Sequence, residues 1–164
     1  MKRRNEENGM EKEKPNIEQT EWETLIRKSM NDIRSGAGEQ RLNEMLAPTL
    51  AECDAANGTM TLRYQIVPWE LNPRGELHGG SLASMLDVAL GLTARCASRS
   101  MQVATTDLSI SYLRRVEADD AVLIQTKVQK NGHFMTRITA EAYSEKTGKV
   151  IATAQCSYAV LRNL

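Results

Sequence analysis

The most apolar segment of the chain is residues 79–98, with the sequence GGSLASMLDVALGLTARCAS. Its hydrophobic residues recur on nearly every side of a helix of about 3.6 residues per turn, which is typical of a helix buried on most faces. Two glycines at its beginning leave backbone amides uncovered at the positive end of the helix dipole, where an oxyanion binds well. The segment therefore predicts one long core helix with a candidate anion site in its first turn.

The segments on both sides of this helix have the alternating pattern of β-strands. Before it, residues 50–55 and 59–67 flank Ala56-Asn57-Gly58, which is a hairpin signal. After it, four strands follow, with turns at Asn131-Gly132 and at residues 146–149. Successive hairpins make an antiparallel sheet, and a sheet with one apolar face is expected to wrap around a nearly all-apolar helix. The predicted class is α+β.

Residues 1–45 are predicted to form a charged extension to a main domain at residues 46–164. Residues 1–34 hold 16 of the 42 charged residues, and residues 1–16 have no apolar periodicity, so we expect disorder there. Because the positive and negative charges of the extension balance, we expect it to add little to the core.

Two helical signals lie within this extension. Thr20 and Glu23 have the spacing of a capping box, which predicts the start of a helix. Gly36 and Gly38 are expected to end that helix, and a second short helix is predicted from Glu39 to Met45.

The composition excludes several classes of function. Basic and acidic residues number 21 each, so the net charge of zero argues against a general nucleic-acid-binding protein. No apolar run reaches the roughly 18 residues of a membrane span, and no apolar stretch follows the basic start as in a secretory signal. Cys53, Cys96 and Cys156 lack the spacing of metal ligands. We therefore expect a cytoplasmic protein with reduced thiols, no metal, and no membrane partner.

Asp87 is the anomaly of the apolar helix. Its neighbours three and four residues away carry no positive charge: Ala83, Ser84, Leu90 and Gly91. A buried unpaired carboxylate costs several kcal/mol or has a raised pKa, and such groups cluster at functional sites. Asp87 is therefore a candidate catalytic group; the alternative is a solvent-facing stripe or a hydrogen bond to a backbone amide.

His78-Gly79-Gly80 opens the same helix and is the second candidate, although the glycines alone could serve only a tight turn with His78 as a cap. Nine residues separate His78 from Asp87. That spacing corresponds to about 13 Å along the axis and roughly half a turn, so one chain does not easily bring both to one site. Two helices packed antiparallel about a two-fold axis would do so, which predicts an obligate homodimer with two composite sites.

Residues 72–87, NPRGELHGGSLASMLD, resemble the signature of hotdog-fold acyl-CoA thioesterases of the phenylacetate-pathway (PaaI-like) type. Residues 105–113 and 147–152 also resemble that family, so the resemblance covers about residues 45–162. It implies a hotdog fold, with an antiparallel sheet around a central helix, and hydrolysis of an aryl- or medium- to long-chain acyl-CoA. It further implies pairing of dimers into a homotetramer and no cofactor, because coenzyme A is part of the substrate.

The resemblance also implies roles for single residues. Asp87 would be the general base for water or the nucleophile, and the Gly79 amide would polarise the thioester carbonyl. Asn72 and His78 would hold that carbonyl or orient each other. Thr105 matches a hydroxyl that positions water, although strand alternation puts it on the polar face with Asp107. The residues assigned to binding substrate or CoA are Gly80, Ser84, Gly91, Arg114, Arg115 and His133.

Several of these binding residues have a second interpretation. Gly91 would leave room for the acyl or pantetheine arm, or would only allow close packing. Arg114 and Arg115 stand where the family often has proline, and they would meet CoA phosphates or form a solvated loop. His133 would lie near CoA or be an exposed residue at the end of a hairpin.

Three other functions were weighed against the thioesterase. A non-catalytic acyl-CoA sensor, such as a regulator with an N-terminal DNA-binding helix pair, fits poorly because the extension has no net charge and because a sensor does not need Asp87. A hotdog dehydratase requires a histidine and a carboxylate in a different local pattern. A pure interaction module is the remaining alternative.

Overall fold

The computed structural model describes residues 18–34 and 41–161 of the chain. Its helices are α1, Gln19–Arg34, α2, Leu42–Leu46, and α3, Gly79–Ser98. Its strands are β1, Thr49–Asp54, β2, Thr59–Gln65, β3, Val103–Tyr112, β4, Ala121–Asn131, β5, Met135–Ser144, and β6, Val150–Val160. The strands form one antiparallel sheet in the order β1-β2-β4-β5-β6-β3. No helix in this part of the chain is long and apolar enough to cross a bilayer.

The long helix begins and ends where the sequence predicts. His78 is its N-terminal cap, and Arg99, in the left-handed conformation, closes its end by donating its amide to the carbonyls of Arg95 and Cys96. The apolar side chains of α3 pack against the inner face of the sheet, and its buried residues include Leu82, Met85, Leu86, Ala89, Leu90, Leu92 and Ala94. The prediction of an α+β fold with a sheet around one central helix is confirmed.

The N-terminal extension contributes to this core, contrary to the sequence-based expectation. Trp22, Ile26, Met30 and Ile33 of α1 are at most 9% exposed and belong to the same core cluster as the side chains of α3. Their spacing of three and four residues forms one apolar stripe that packs on α3. The charges of α1 therefore lie on the opposite face. The domain boundary at residues 45 and 46 stays a prediction.

The predicted start of α1 is wrong by two residues, and no hydrogen bond of the described residues forms the expected capping box between Thr20 and Glu23. The helix begins at Gln19, and Glu23 accepts a hydrogen bond from the Gln19 side chain (3.0 Å). Gln19 also links α1 to the end of β1, because its amide group bonds the Cys53 carbonyl (2.9 Å) and the Ala55 amide (2.8 Å). Gly36, Gly38 and Glu39 lie outside the described residues. The second helix, which was predicted from Glu39 to Met45, is described from Leu42 to Leu46.

Candidate active site

Asp87 lies half-buried in the middle of α3, beside a cavity of about 130 Å³. Its Oδ1 atom accepts a hydrogen bond from Thr105 Oγ1 (2.9 Å). Tyr158 Oη lies 3.0 Å from the same oxygen and 2.8 Å from the Asp87 carbonyl oxygen, so its single proton serves both. Among the described residues, no hydrogen bond uses Asp87 Oδ2. The carboxylate is thus oriented through one oxygen, and the other is available to a ligand.

Tyr158 was missed as a site residue by sequence reasoning. Strand alternation puts it on the inner face of β6, where a buried tyrosine hydroxyl needs a partner, and that need was the available signal. Burial, and then the negative charge of Asp87, raise the pKa of Tyr158 far above its ordinary value. The phenol therefore stays protonated and acts as a donor to Asp87.

The prediction that Thr105 lies on the polar face of its strand is wrong. Thr105 pairs with Tyr158, and Asp107 pairs with Ser157. Between these two pairs β3 advances by two residues while β6 advances by one. This is a β-bulge, which adds one residue and reverses the alternation on its N-terminal side. Thr105 consequently shares the inner face with Tyr158 and reaches Asp87.

The beginning of α3 holds His78 and the two glycines in a fixed arrangement. His78 Nδ1 accepts a hydrogen bond from the Gly80 amide (2.9 Å), and the His78 amide donates to the Glu70 carbonyl (2.8 Å). Because Nδ1 is the acceptor, the hydrogen-bond network assigns the proton of the neutral ring to Nε2. A Cβ at Gly80 would lie 3.0 Å from His78 Nδ1, so the cap needs glycine there. Ser84 donates its hydroxyl to the Gly80 carbonyl (3.0 Å).

The Gly79 amide is the available donor at this end of the helix. The first backbone amide that pairs within the helix is that of Leu82, which donates to the His78 carbonyl (3.1 Å). None of the hydrogen bonds of the described residues uses the Gly79 amide. Tyr112 donates its hydroxyl to the Gly79 carbonyl (3.0 Å), and its ring lies beside the glycine. An exposed amide at a positive helix end is suited to an anionic oxygen.

Asn72 orders the loop that leads to His78. Its Oδ1 atom accepts hydrogen bonds from the backbone amides of Arg74 (2.8 Å) and Glu76 (3.3 Å). The backbone amide of Asn72 donates to the Glu76 carbonyl (2.8 Å). Within the described part of the chain, no hydrogen bond joins Asn72 to His78. The Asn72 oxygen thus stabilises the turn, and the Asn72 side chain also interacts with the Glu76 carboxylate.

A single chain brings some of the predicted residues together and keeps others apart. Gly91 and Thr105 line the cavity at Asp87, whereas His78 and Gly79 do not. The eight residues from Gly79 to Asp87 correspond to about 12 Å of helix. A Cβ at Gly91 would lie 3.4 Å from Tyr158 Oη, so this glycine both allows close packing and leaves the cavity open.

The predicted CoA-binding residues lie elsewhere on the surface. Arg114 and Arg115 line a second hollow of about 520 Å³ together with Lys149. Arg115 pairs with Glu76 (3.2 Å), and Arg114 donates to the Val150 carbonyl (2.5 Å). His133 is exposed, and its ring meets the edge of Phe134 at 4.5 Å.

Volume alone does not identify the site. A hollow of about 550 Å³ lies on the outer face of the sheet, lined mainly by small and polar side chains such as Ser109, Ser111 and Thr153. It contains none of the predicted catalytic residues. The smaller cavity at Asp87 holds the oriented carboxylate, and Ile33, Asn43 and Arg95 line it as residues that sequence reasoning missed.

Relatives of known sequence match most of the chain. The sequence profile of the thioesterase superfamily matches residues 74–151. A protein from Halobacterium salinarum that carries the name of an esterase is 30% identical over 119 residues, which are 67% of this chain and 79% of that protein. Human acyl-coenzyme A thioesterase 13 is 22% identical over 129 residues, which are 79% of this chain and 92% of the relative.

A solved structure has the same fold. The E. coli PaaI protein from the phenylacetic acid degradation operon superimposes with a TM-score of 0.69 and 17% identity, over 85% of this chain and 97% of that one. This likeness confirms the hotdog fold, and the two sequence relatives confirm the family resemblance. The chain therefore belongs to the thioesterase superfamily, as a thioester hydrolase with the hotdog fold.

Proposed function

We propose that this protein hydrolyses an acyl-CoA thioester to a free acid and coenzyme A, with Asp87 at the reacting centre. The observation that carries the proposal is the carboxylate itself, which lies in an apolar helix, is held through Oδ1 by two hydroxyls, and faces a cavity. An acyl-CoA sensor on the same fold needs no oriented carboxylate, so the contacts from Thr105 and Tyr158 support an enzyme.

Asp87 serves the reaction in one of two ways. As a general base it takes a proton from water, whose oxygen bonds to the thioester carbon; the carbon–sulfur bond then breaks and the proton passes to the departing thiolate. As a nucleophile Asp87 Oδ2 bonds to the thioester carbon, the carbon–sulfur bond breaks, and CoA leaves as the thiolate. Water then hydrolyses the resulting anhydride to the free acid and the Asp87 carboxylate, and the proton released passes to the thiolate or to solvent. In both cases Thr105 and Tyr158 hold Oδ1 so that Oδ2 points to one position.

The Gly79 amide is proposed as the donor to the thioester carbonyl oxygen. Negative charge develops on that oxygen as water or Asp87 attacks, and a fixed amide at the positive end of α3 stabilises it. His78 is proposed as a second donor near this position. Its Nδ1 accepts a hydrogen bond from the Gly80 amide, so the N–H of the neutral ring is at Nε2. Asn72 keeps the loop before His78 in shape through the hydrogen bonds that its side-chain oxygen accepts.

A homodimer is proposed to assemble the complete site. Within one chain about 12 Å of helix separates Gly79 from Asp87. The ten residues of β3 pair with β6 on one side and form the edge of the sheet on the other, and such an edge readily pairs with a second copy. A two-fold axis at that edge would place Gly79 of one chain next to Asp87 of the other. A homotetramer and a cytoplasmic location remain expectations from the resemblance and the composition.

The hollow at Arg114 and Arg115 is proposed to receive the phosphates of CoA. With Lys149, three positive charges line the hollow and outnumber its two carboxylates, Glu117 and Asp120. Guanidinium groups pair well with phosphate oxygens. Gly80, Ser84 and His133 stay predictions from the resemblance, with Gly80 also explained by its contact with His78.

The experiment is a panel of acyl-CoA thioesters with detection of the released thiol. Asp87→Asn should lose about 10²–10⁴-fold in kcat, the usual contribution of a general base, while remaining folded. Asp107→Asn removes an exposed carboxylate from the opposite face of β3 and should retain full activity. An undiminished rate in Asp87→Asn would contradict the role of Asp87, and an inactive wild-type protein across the panel would contradict the function.

A further inference from the structure

The cavity at Asp87 has a far wall that the hydrolysis of a thioester does not require. Arg95 lines it from the last turn of α3, Asn43 from α2 and Ile33 from α1. The volume of about 130 Å³ is small for an acyl site. By comparison, an engineered apolar cavity of about 150 Å³ holds one benzene molecule. The single-chain cavity is therefore suited to a compact acyl group and not to a long alkyl chain.

Arg95 is a positive charge that faces this cavity without an acidic partner. It lies four residues beyond Gly91 and eight beyond Asp87, so the three residues share one face of α3. None of the ion pairs of the described residues includes Arg95, which is half-buried. Its place in the last helical turn suits the helix dipole. The dipole explains a cation at this end of the helix, but it does not explain why the cation lines the same cavity as Asp87.

We propose that Arg95, with Asn43 beside it, binds a carboxylate at the far end of a short acyl group. The preferred substrate is then the CoA monothioester of a short dicarboxylic acid. A guanidinium matches the two oxygens of a carboxylate, and the asparagine amide adds a further donor. This proposal rests on the thioesterase function proposed above and adds the chemistry of the acyl group.

The spacing along α3 sets the length of that acyl group. Helical side chains lean toward the N-terminus, so the guanidinium of Arg95 covers the turn around Gly91. That turn lies one helical repeat beyond Asp87, or about 6 Å. A five-carbon diacyl chain such as glutaryl, with bonds of roughly 1.5 Å, spans this distance. An unsubstituted aryl or alkyl group would bury Arg95 without a partner, which is costly for a charge.

Gly91 and the extension complete this subsite. Because Gly91 has no side chain, the path between Asp87 and Arg95 is open next to Tyr158. Ile33 and Asn43 line the same cavity, which gives the N-terminal extension a role in the wall of the acyl site.

The test compares glutaryl-CoA, phenylacetyl-CoA and decanoyl-CoA as substrates of the full-length protein. Wild type should have its highest kcat/KM with glutaryl-CoA. Arg95→Met should lower the ratio of glutaryl- to phenylacetyl-CoA kcat/KM by about tenfold to hundredfold, the usual effect of losing a charged hydrogen bond. Arg137→Met removes an exposed arginine of β5 and should leave that ratio at its wild-type value.

A second measurement needs no variant and so does not depend on folding. Glutarate should inhibit wild-type hydrolysis at least about tenfold more strongly than pentanoate, which has the same chain without the second carboxylate. Thioesterase activity with an unchanged ratio in Arg95→Met, or equal inhibition by the two acids, would overturn the Arg95 subsite alone. A wild-type protein inactive on all three thioesters would overturn the proposed function and this subsite with it.

Discussion

Replacing Gly79 with proline removes the proposed oxyanion donor and nothing else of importance. Gly79 is the first residue of α3, a position that proline accepts well because its N–H has no partner within the helix. His78 before it has φ −68° and ψ 136°, the extended conformation that a residue preceding proline requires. A side chain at Gly79 would meet the Tyr112 ring at 3.7 Å, an ordinary van der Waals contact.

The expected effect follows from the part that one donor plays in the transition state. Loss of a single oxyanion donor costs about 10²–10³-fold in kcat, or about 2.7–4 kcal/mol. The effect should appear in kcat with little change in KM, because the charge on the carbonyl oxygen develops only in the transition state. Gly79→Ala keeps the amide and is the matched control. Both variants should retain the wild-type melting temperature or exceed it, since they restrict the unfolded chain.

The assay measures kcat and KM from thiol release for wild type, Gly79→Pro and Gly79→Ala, with calorimetry of each protein. Gly79→Pro with kcat within about threefold of wild type would refute the assignment, because that is far below the loss of one donor. Equal losses in both variants would show that the side chain beside Tyr112, and not the missing amide, is responsible.

Two further predictions concern assembly and pH. If the sites are composite, co-expressing Asp87→Asn with Gly79→Pro should restore about one quarter of wild-type activity. Half of the dimers are then mixed, and each mixed dimer holds one unaltered site of its two. If each chain instead holds a whole site, thiol release stays at the level of the single variants. Asp120 is 5% exposed, and burial by itself would raise the pKa of its carboxyl group. Hydrogen bonds from Ser144 Oγ (2.5 Å) and from the backbone amides of Ala121 (2.7 Å) and Lys146 (3.0 Å) outweigh burial, so the pKa is lowered. Its carboxylate therefore stabilises the fold above the unfolded pKa of about 3.9 and loses this effect as pH falls through the folded value. Asp120→Asn should cost about 1–3 kcal/mol in urea unfolding at pH 7, and a gap from wild type that does not narrow below about pH 4 would contradict this account.

Regular periodicity made most of the fold predictable. The all-round apolar pattern of residues 79–98 identified α3, and the alternating pattern identified six strands, the first two to within two residues. The Asp87 carboxylate was found for the same reason, as a charge that conflicts with its helix. The two glycines at the start of the helix indicated His78 and Gly79, and the family resemblance added Asn72.

Thr105 shows why the strand pattern failed at the site. Alternation assumes one residue per step, and the bulge before Asp107 breaks that assumption without any mark in the sequence. The resemblance pointed to Thr105, whereas the alternation argued against it. The pairing with Tyr158 resolved the conflict.

By itself, the sequence determined one core helix, an antiparallel sheet around it, and an anomalous carboxylate, because these depend on local period and composition. Only the tertiary structure decided which groups meet that carboxylate. Thr105 and Tyr158 come from strands far along the chain, and Ile33 and Asn43, which line the cavity, come from an extension expected to add little to the core. Contacts of this kind depend on pairing register and helix packing, which join residues distant in sequence and leave no local periodic signal.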